Sequence, residues 1–123
     1  MKKKILIVDD EQEFTRMVKL NLEGTGRYEV QTESKGSQGL MVARAFKPDL
    51  ILLDVIMPDM AGGQVARQLK DSQDTSHIPI VFLTATVLKS EIESQGNMIG
   101  GHPFIAKPAS VDEIVQCIEK NLK

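Results

Sequence analysis

The sequence predicts an α/β fold in which an open, doubly wound sheet of five parallel strands alternates with helices. Apolar runs of strand length alternate with longer segments of helical periodicity, as expected of five βα units. The first, third and fourth runs, residues 5–8, 50–53 and 80–83, are continuously apolar. Such runs are typical of strands that helices cover on both faces.

Two shorter runs, residues 28–32 and 104–106, supply the remaining strands. The first helix is predicted between the first two strands, where an apolar stripe recurs at helical spacing and Gly24 supplies a stop. That stripe consists of Phe14, Met17, Val18 and Leu22.

The second and third helices are predicted from shorter stripes. Leu40 and Ala43 indicate the second helix, which ends before Pro48. The third helix follows the third strand and presents Val65, Ala66 and Leu69.

The last two helices carry signals of different strength. The fourth, after Val87, is weakly indicated, because Gly96 and the pair at 100–101 interrupt it and glycine is costly inside helices. In the last helix, Ser110 and Glu113 form a capping-box pattern. Its apolar face consists of Val111, Ile114, Val115, Ile118 and Leu122.

The composition is that of an ordinary globular protein. With 123 residues, 41% hydrophobic and 26% charged, the chain is the size of one domain, and we assign residues 1–123 to it. No apolar run approaches the ~20 residues of a membrane span. The lysines after Met1 lead into a strand rather than a secretory signal. We therefore expect a cytoplasmic domain without membrane contact.

Charge and the rarer side chains exclude other classes of function. A formal net charge of −2 offers no electrostatic basis for direct contact with nucleic acid. The single Cys117 cannot form an internal disulfide, and we expect it to be buried in the last helix. His77 and His102 are expected at the surface near loops.

Polar side chains stand at the carboxyl ends of four predicted strands. Asp9 and Asp10 follow the first strand, Asp54 the third, Thr84 the fourth and Lys107 the fifth. These ends meet at one edge of a parallel sheet, where a doubly wound fold binds ligands. Three carboxylates in a small space favour a divalent cation, and the oxygen ligands point to Mg²⁺.

Such a site suits phosphoryl transfer. Asp54 is the best nucleophile because it ends the central strand, and Lys107 and the Thr84 hydroxyl can stabilise the transferred group. Asp9 and Asp10 are then the metal acids. Taken singly, each Asp could cap the following helix. Taken together, the residues at the four strand ends favour a chemical role over simple helix capping.

The chain resembles the response-regulator receiver domains of two-component signalling. The resemblance rests on four segments in order, ILIVDDE at 5–11, PDLILLDVIMPDMAG at 48–62, PIVFLTA at 79–85 and FIAKP at 104–108. It covers essentially the whole chain and implies the flavodoxin-like, (βα)5 receiver fold.

The resemblance also implies a ligand set. Asp54 would be the phosphoacceptor, Asp10 a direct Mg²⁺ ligand and Asp9 a ligand through water. The backbone carbonyl of Ile56 would complete the protein ligands. Gly62 and Met57 are expected to shape the turn after the phosphoacceptor.

Other residues are implied to hold and sense the phosphoryl group. Thr84 would hydrogen-bond to it and Lys107 would pair with it. Phe104 matches the aromatic switch position, although it could equally be an ordinary core aromatic. A cis peptide is implied before Pro108.

The implied function is a phosphorylation-dependent switch. It would take phosphate from a histidine kinase or histidine phosphotransfer protein and change the surface that a downstream protein or fused output domain reads. The domain would catalyse only its own phosphorylation and a slow autodephosphorylation, since Ile56 and Thr86, which flank the attacking water, orient it poorly.

Two other functions share parts of this pattern. A haloacid-dehalogenase-like phosphohydrolase also forms an aspartyl phosphate, but it needs a second acid two positions after the nucleophile, where this chain has Ile56. A flavin- or nucleotide-binding module of the same fold would need a glycine-rich phosphate loop, which the sequence lacks. The switch is therefore preferred.

Overall fold

Strands and helices alternate in the computed structural model, which describes residues 2–84, 98–99, 102–107 and 110–122. The strands are β1 (Lys3–Val8), β2 (Tyr28–Glu33), β3 (Leu50–Asp54), β4 (Ile80–Thr84), β5 (Met98–Ile99) and β6 (His102–Ala106). The helices are α1 (Gln12–Gly24), α2 (Gly39–Phe46), α3 (Gly62–Asp71) and α4 (Val111–Asn121), and a 3-10 turn, Gly36–Gln38, precedes α2. The helix predicted after Val87 lies outside the described residues.

Five parallel strands form the sheet in the order β2-β1-β3-β4-β6, which confirms the predicted doubly wound fold. The two-residue β5 pairs antiparallel with β6 at the edge. It was not predicted, because two residues are too few to show a periodicity. Since β1 lies between β2 and β3, the strand order reverses there, and ligands bind at such switch points.

The central strands are buried on both faces, as their apolar runs predict. β3 and β4 are buried along their whole lengths, and β1 from Ile5 to Val8. Alternate side chains of β1 enter opposite cores. Ile5 and Ile7 join the cluster that contains residues of α1 and α4, whereas Leu6 and Val8 join the cluster formed with α2 and α3.

The apolar stripe of α1 was predicted only in part. Val18 and Leu22 are buried, but Met17, which belongs to the predicted stripe, is 39% exposed. Thr15 is buried instead. Thr15 lies three residues before Val18 and therefore on the same face of the helix, toward the sheet. Met17 directly precedes Val18 and points to a different side of the helix.

The other described helices follow their predicted patterns. In α3 the buried set includes Val65, Ala66 and Leu69. The α4 capping box is present, since the backbone N–H of Glu113 donates to Ser110 Oγ at 3.1 Å and the backbone N–H of Ser110 donates to Glu113 Oε1 at 3.2 Å. None of the helices in the described ranges is both long enough and apolar enough to cross a membrane.

Two side chains differ from their predicted surroundings. Cys117 lies in α4 and packs against the core, but it is half-buried rather than buried. His102 is half-buried in β6 instead of lying exposed near a loop, and its ring meets Phe82 edge-on with centroids 5.6 Å apart. Burial lowers the pKa of His102. His77 is exposed, as predicted.

Candidate functional site

The carboxyl ends of the parallel strands bring the predicted polar residues to one edge of the sheet. Asp9 follows β1, and Asp54 and Thr84 are the last residues of β3 and β4; all three are buried. Lys107 follows β6, and its backbone N–H donates to the Thr84 carbonyl at 2.8 Å. The side chains therefore lie together because adjacent strands end in register.

The Lys107 ammonium group occupies the middle of this site. Its Nζ lies 2.6 Å from Asp9 Oδ2, 2.9 Å from Glu11 Oε1 and 3.9 Å from Asp54 Oδ1. The lysine side chain is only 7% exposed. Burial alone would lower the pKa of Lys107, but the hydrogen bonds to Asp9 and Glu11 outweigh it and raise that pKa. The lysine is a fixed cation.

The surroundings of Asp54 disfavour the charged form of its carboxyl group. Burial, aided by the nearby charge of Asp9, raises the pKa of Asp54 to about 7, although Lys107 acts in the opposite direction. Asp10, exposed at the rim, shares a carboxyl–carboxyl hydrogen bond with Asp54 that raises the pKa further. The backbone N–H of Ile56 donates to the Asp54 carboxylate and favours the charged form.

Three carboxylates form an acidic triad, consisting of Asp9, Glu11 and Asp54. One oxygen from each side chain can be chosen so that all three lie within 4.8 Å of one another. A set of hard oxygen donors at this spacing suits a metal ion. A cation there would also favour the charged form of Asp54, which burial disfavours.

Glu11 was not predicted as part of the site. It directly follows the acid pair and belongs to the first matching segment, so its position was the available signal. Sequence alone could not show that its side chain turns back toward a lysine far along the chain. Asp10 and the Ile56 carbonyl stay predictions as metal ligands.

The turn after Asp54 is held by close backbone contacts. The backbone N–H of Gly62 donates to the Val55 carbonyl at 2.8 Å, and Met57 is buried nearby. Farther along the loop, the carboxylate of Asp59 accepts from the backbone N–H groups of Gly36 and Ser37 at 3.1 and 3.0 Å. This anchoring fixes the rim of the site against the 3-10 turn that precedes α2.

The remaining predicted residues lie around this centre. Phe104 is half-buried in β6 and lies opposite Phe82 of β4 in the strand register. It packs against the cluster on the α2 and α3 face. Ile56 is 59% exposed at the rim. Thr86 and Pro108, with its implied cis peptide, lie outside the described residues.

Comparison with known proteins shows the family. The family described as response regulator receiver domain matches residues 5–119. The chain is a response regulator receiver domain. It is 33% identical over 122 residues to the polar-differentiation response regulator DivK of Brucella ovis, covering 99% of this chain and 98% of that protein.

Solved structures share the fold of this receiver domain. The chemotaxis protein CheY4 of Vibrio cholerae superposes with a TM-score of 0.85 at 27% identity, covering 99% of this chain and all of that chain (100%). The receiver domain of the sensor histidine kinase PA1611 of Pseudomonas aeruginosa, described with a magnesium ion in its active-site cleft, has a TM-score of 0.82 at 24% identity over 98% of this chain and 97% of that one.

This receiver domain is thus a signalling protein rather than a true catalyst. Its acidic triad fits a phosphoacceptor site. The relatives and structural neighbours described above are response regulators or receiver domains and give no support to the phosphohydrolase alternative.

Proposed function

We propose that this receiver domain is switched by phosphorylation of Asp54 in a Mg²⁺-dependent reaction. One observation carries the proposal: a buried carboxylate, Asp54, ends the central strand β3 close to a second carboxylate, Asp9, and to a fixed cation, Lys107. A nucleophile in that setting attacks phosphorus while the transferred charge is balanced by its neighbours.

The proposed step is transfer from a phosphohistidine. A carboxylate oxygen of Asp54 attacks phosphorus in line, the P–N bond breaks with its electron pair going to the imidazole, and an acyl phosphate forms. Asp54 reacts in its deprotonated form. Lys107, whose Nζ lies 3.9 Å from Asp54 Oδ1, would pair with the new phosphoryl oxygens, and the Thr84 hydroxyl would donate to one of them.

The proposed metal site consists of Asp9, Asp10, Asp54 and the Ile56 carbonyl. Glu11 adds a further carboxylate within reach of the same ion. A bound Mg²⁺ would offset the carboxylate charge and polarise the phosphoryl oxygens. The chain's own contribution is to hold these oxygens at one edge of a rigid sheet.

The proposed partners are those of the family. A histidine kinase or a histidine phosphotransfer protein donates the phosphoryl group, and a downstream protein or a fused output domain reads the changed surface. We propose that residues 1–123 act as one such domain, without touching nucleic acid directly, and that Thr84 and Phe104 carry the switch from the site to that surface.

Intact mass spectrometry with acetyl phosphate and Mg²⁺ tests this function. The parent should gain one phosphoryl group, and Asp54→Asn should gain none. Asp71→Asn, which removes an exposed carboxylate from α3, is the matched control and should be labelled like the parent. Equal labelling of the Asp54→Asn variant would assign the phosphoacceptor to another residue, and labelling of the parent without any divalent cation would contradict the metal dependence.

A further inference from the structure

The segment that joins β1 to α1, together with the first turn of α1, surrounds the Lys107 ammonium group. Asp9 Oδ2 and Glu11 Oε1 accept from Nζ at 2.6 and 2.9 Å, and Nζ lies 4.6 Å from the centroid of the Phe14 ring. A cation at that distance from an aromatic ring is attracted by it. The nearest Asp54 oxygen, at 3.9 Å, is beyond hydrogen-bonding distance.

The Glu11 side chain has no role in capping α1. Glu11 is the N-cap residue of the helix, yet its side chain makes no cap hydrogen bond. The turn is held instead by its backbone, whose N–H donates to Asp9 Oδ1 at 2.9 Å. The side chain, 57% exposed, lies over the site and binds Lys107.

We propose that Glu11 and Phe14 form a resting latch, in which they hold Lys107 beside Asp9 until a phosphoryl group on Asp54 draws the ammonium away. Glu11 is then a positioning residue that acts through Lys107 and sets how readily the phosphorylated form is populated. The proposal rests on the proposed function, because that function requires Lys107 to pair with the phosphoryl group.

The latch predicts the direction in which removal of Glu11 changes the stability of the phosphorylated form. Forming the pair between Lys107 and the phosphoryl group requires the contact with Glu11 to break, so removing Glu11 should favour the phosphorylated form. Because Glu11 is more than half exposed, its contact has the modest strength of a solvent-screened ion pair. We expect Glu11→Gln to bind a phosphoryl mimic about three- to fivefold more tightly than the parent.

Beryllofluoride, titrated at saturating Mg²⁺ for each variant, serves as the mimic. Glu13→Gln is the matched control, because Glu13 is exposed in the first turn of α1 and its replacement makes the same change in charge. Phe14→Leu weakens the latch without changing any charge. It should therefore tighten beryllofluoride binding in the same direction as Glu11→Gln, by about twofold.

The NMR resonance of the Lys107 ammonium group in ¹⁵N-lysine-labelled protein reports the latch directly. The resonance is assigned by its absence from the spectrum of the Lys107→Gln variant. In the metal-free parent its protons should be protected from exchange with water. Glu11→Gln should speed that exchange, and Glu13→Gln should not.

The outcomes separate the two hypotheses. If the parent binds no beryllofluoride with Mg²⁺, the proposed function fails and the latch with it. If the parent binds it but Glu11→Gln binds equally or more weakly, or matches Glu13→Gln, the latch alone is overturned. Unchanged exchange at Lys107 in Glu11→Gln also overturns it.

Discussion

Gly62 lies against the backbone of Asp54 so closely that a Cβ built on Gly62 would stand 2.1 Å from the Asp54 carbonyl oxygen. The atoms it would meet belong to the main chain of β3 and the next residue, Val55, at 2.9 Å. Neither can rotate aside as a flexible side chain would. The first residue of α3 is therefore tied to the last residue of β3, on which the site is built.

Gly62→Ala should destabilise the fold by about 3 kcal/mol, because the added methyl group overpacks a backbone that cannot move without displacing β3. Urea denaturation followed by circular dichroism measures the change. Gly63→Ala is the control, since a Cβ there meets nothing within 4 Å and alanine favours the helix. Equal stability of Gly62→Ala and the parent would show that the turn yields at little cost.

The raised pKa of Asp54 predicts a pH-dependent stability without metal. Its pKa is about 7 in the fold against 3.8 ordinarily, so the folded state binds the proton more tightly than the unfolded chain. This stabilisation is present below about pH 4 and is lost as the pH rises through 7.

We compare the free energy of unfolding of Asp54→Asn with that of the parent in EDTA. The variant minus parent difference should therefore rise between pH 5 and pH 8.5, by on the order of 2 kcal/mol after allowance for solvent screening at the open edge. Urea denaturation at each pH measures the difference. Adding Mg²⁺ at pH 8.5 should narrow the stability difference between Asp54→Asn and the parent, because a cation favours the charged form of Asp54. A difference that is flat with pH, as expected for Asp71→Asn, would contradict the raised pKa.

Removal of the Asp10 charge should weaken Mg²⁺ binding. Asp10 hydrogen-bonds to Asp54 at the exposed rim, where a cation would enter the site. Asp10→Asn should lower the Mg²⁺ affinity by about tenfold, measured by calorimetric titration. Glu29→Gln makes the same charge change near the start of β2, at the opposite end of the sheet, and should leave the affinity unchanged. Equal affinities for both variants would remove Asp10 from the ligand set.

The phosphoryl lifetime should depend on the exposed side chain of Ile56, which offers the attacking water no hydrogen bond. Ile56→Asn combined with Thr86→Glu should speed autodephosphorylation by about tenfold, or ~1.4 kcal/mol on the barrier. Phosphate release from purified, phosphodonor-free protein measures the rate. Met41→Asn, an equally exposed apolar side chain on α2, should decay at the parent rate. A double variant that also decays at the parent rate would show that these positions do not control the lifetime.

The fold was largely determined by the sequence itself. Continuous apolar runs such as residues 50–53 predict strands covered on both faces, and β3 is buried throughout. The capping box of Ser110 and Glu113 fixed the start of α4 to the residue, because both partners lie within one helical turn. Patterns of this kind are local and need no knowledge of distant residues.

The contacts across the site were decided by the tertiary structure alone. Asp9 and Lys107 are predicted to share an edge of the sheet, because the ends of parallel strands coincide. That Lys107 lies closer to Asp9 and Glu11 than to Asp54 depends on how one side chain crosses between strands. The exposure of Met17, a member of the predicted apolar stripe, has the same kind of cause, since a small rotation of α1 decides which neighbour faces the sheet. The raised pKa of Asp54 likewise arises from burial and from charges distant along the chain, so composition and spacing could locate the carboxylate but not its protonation.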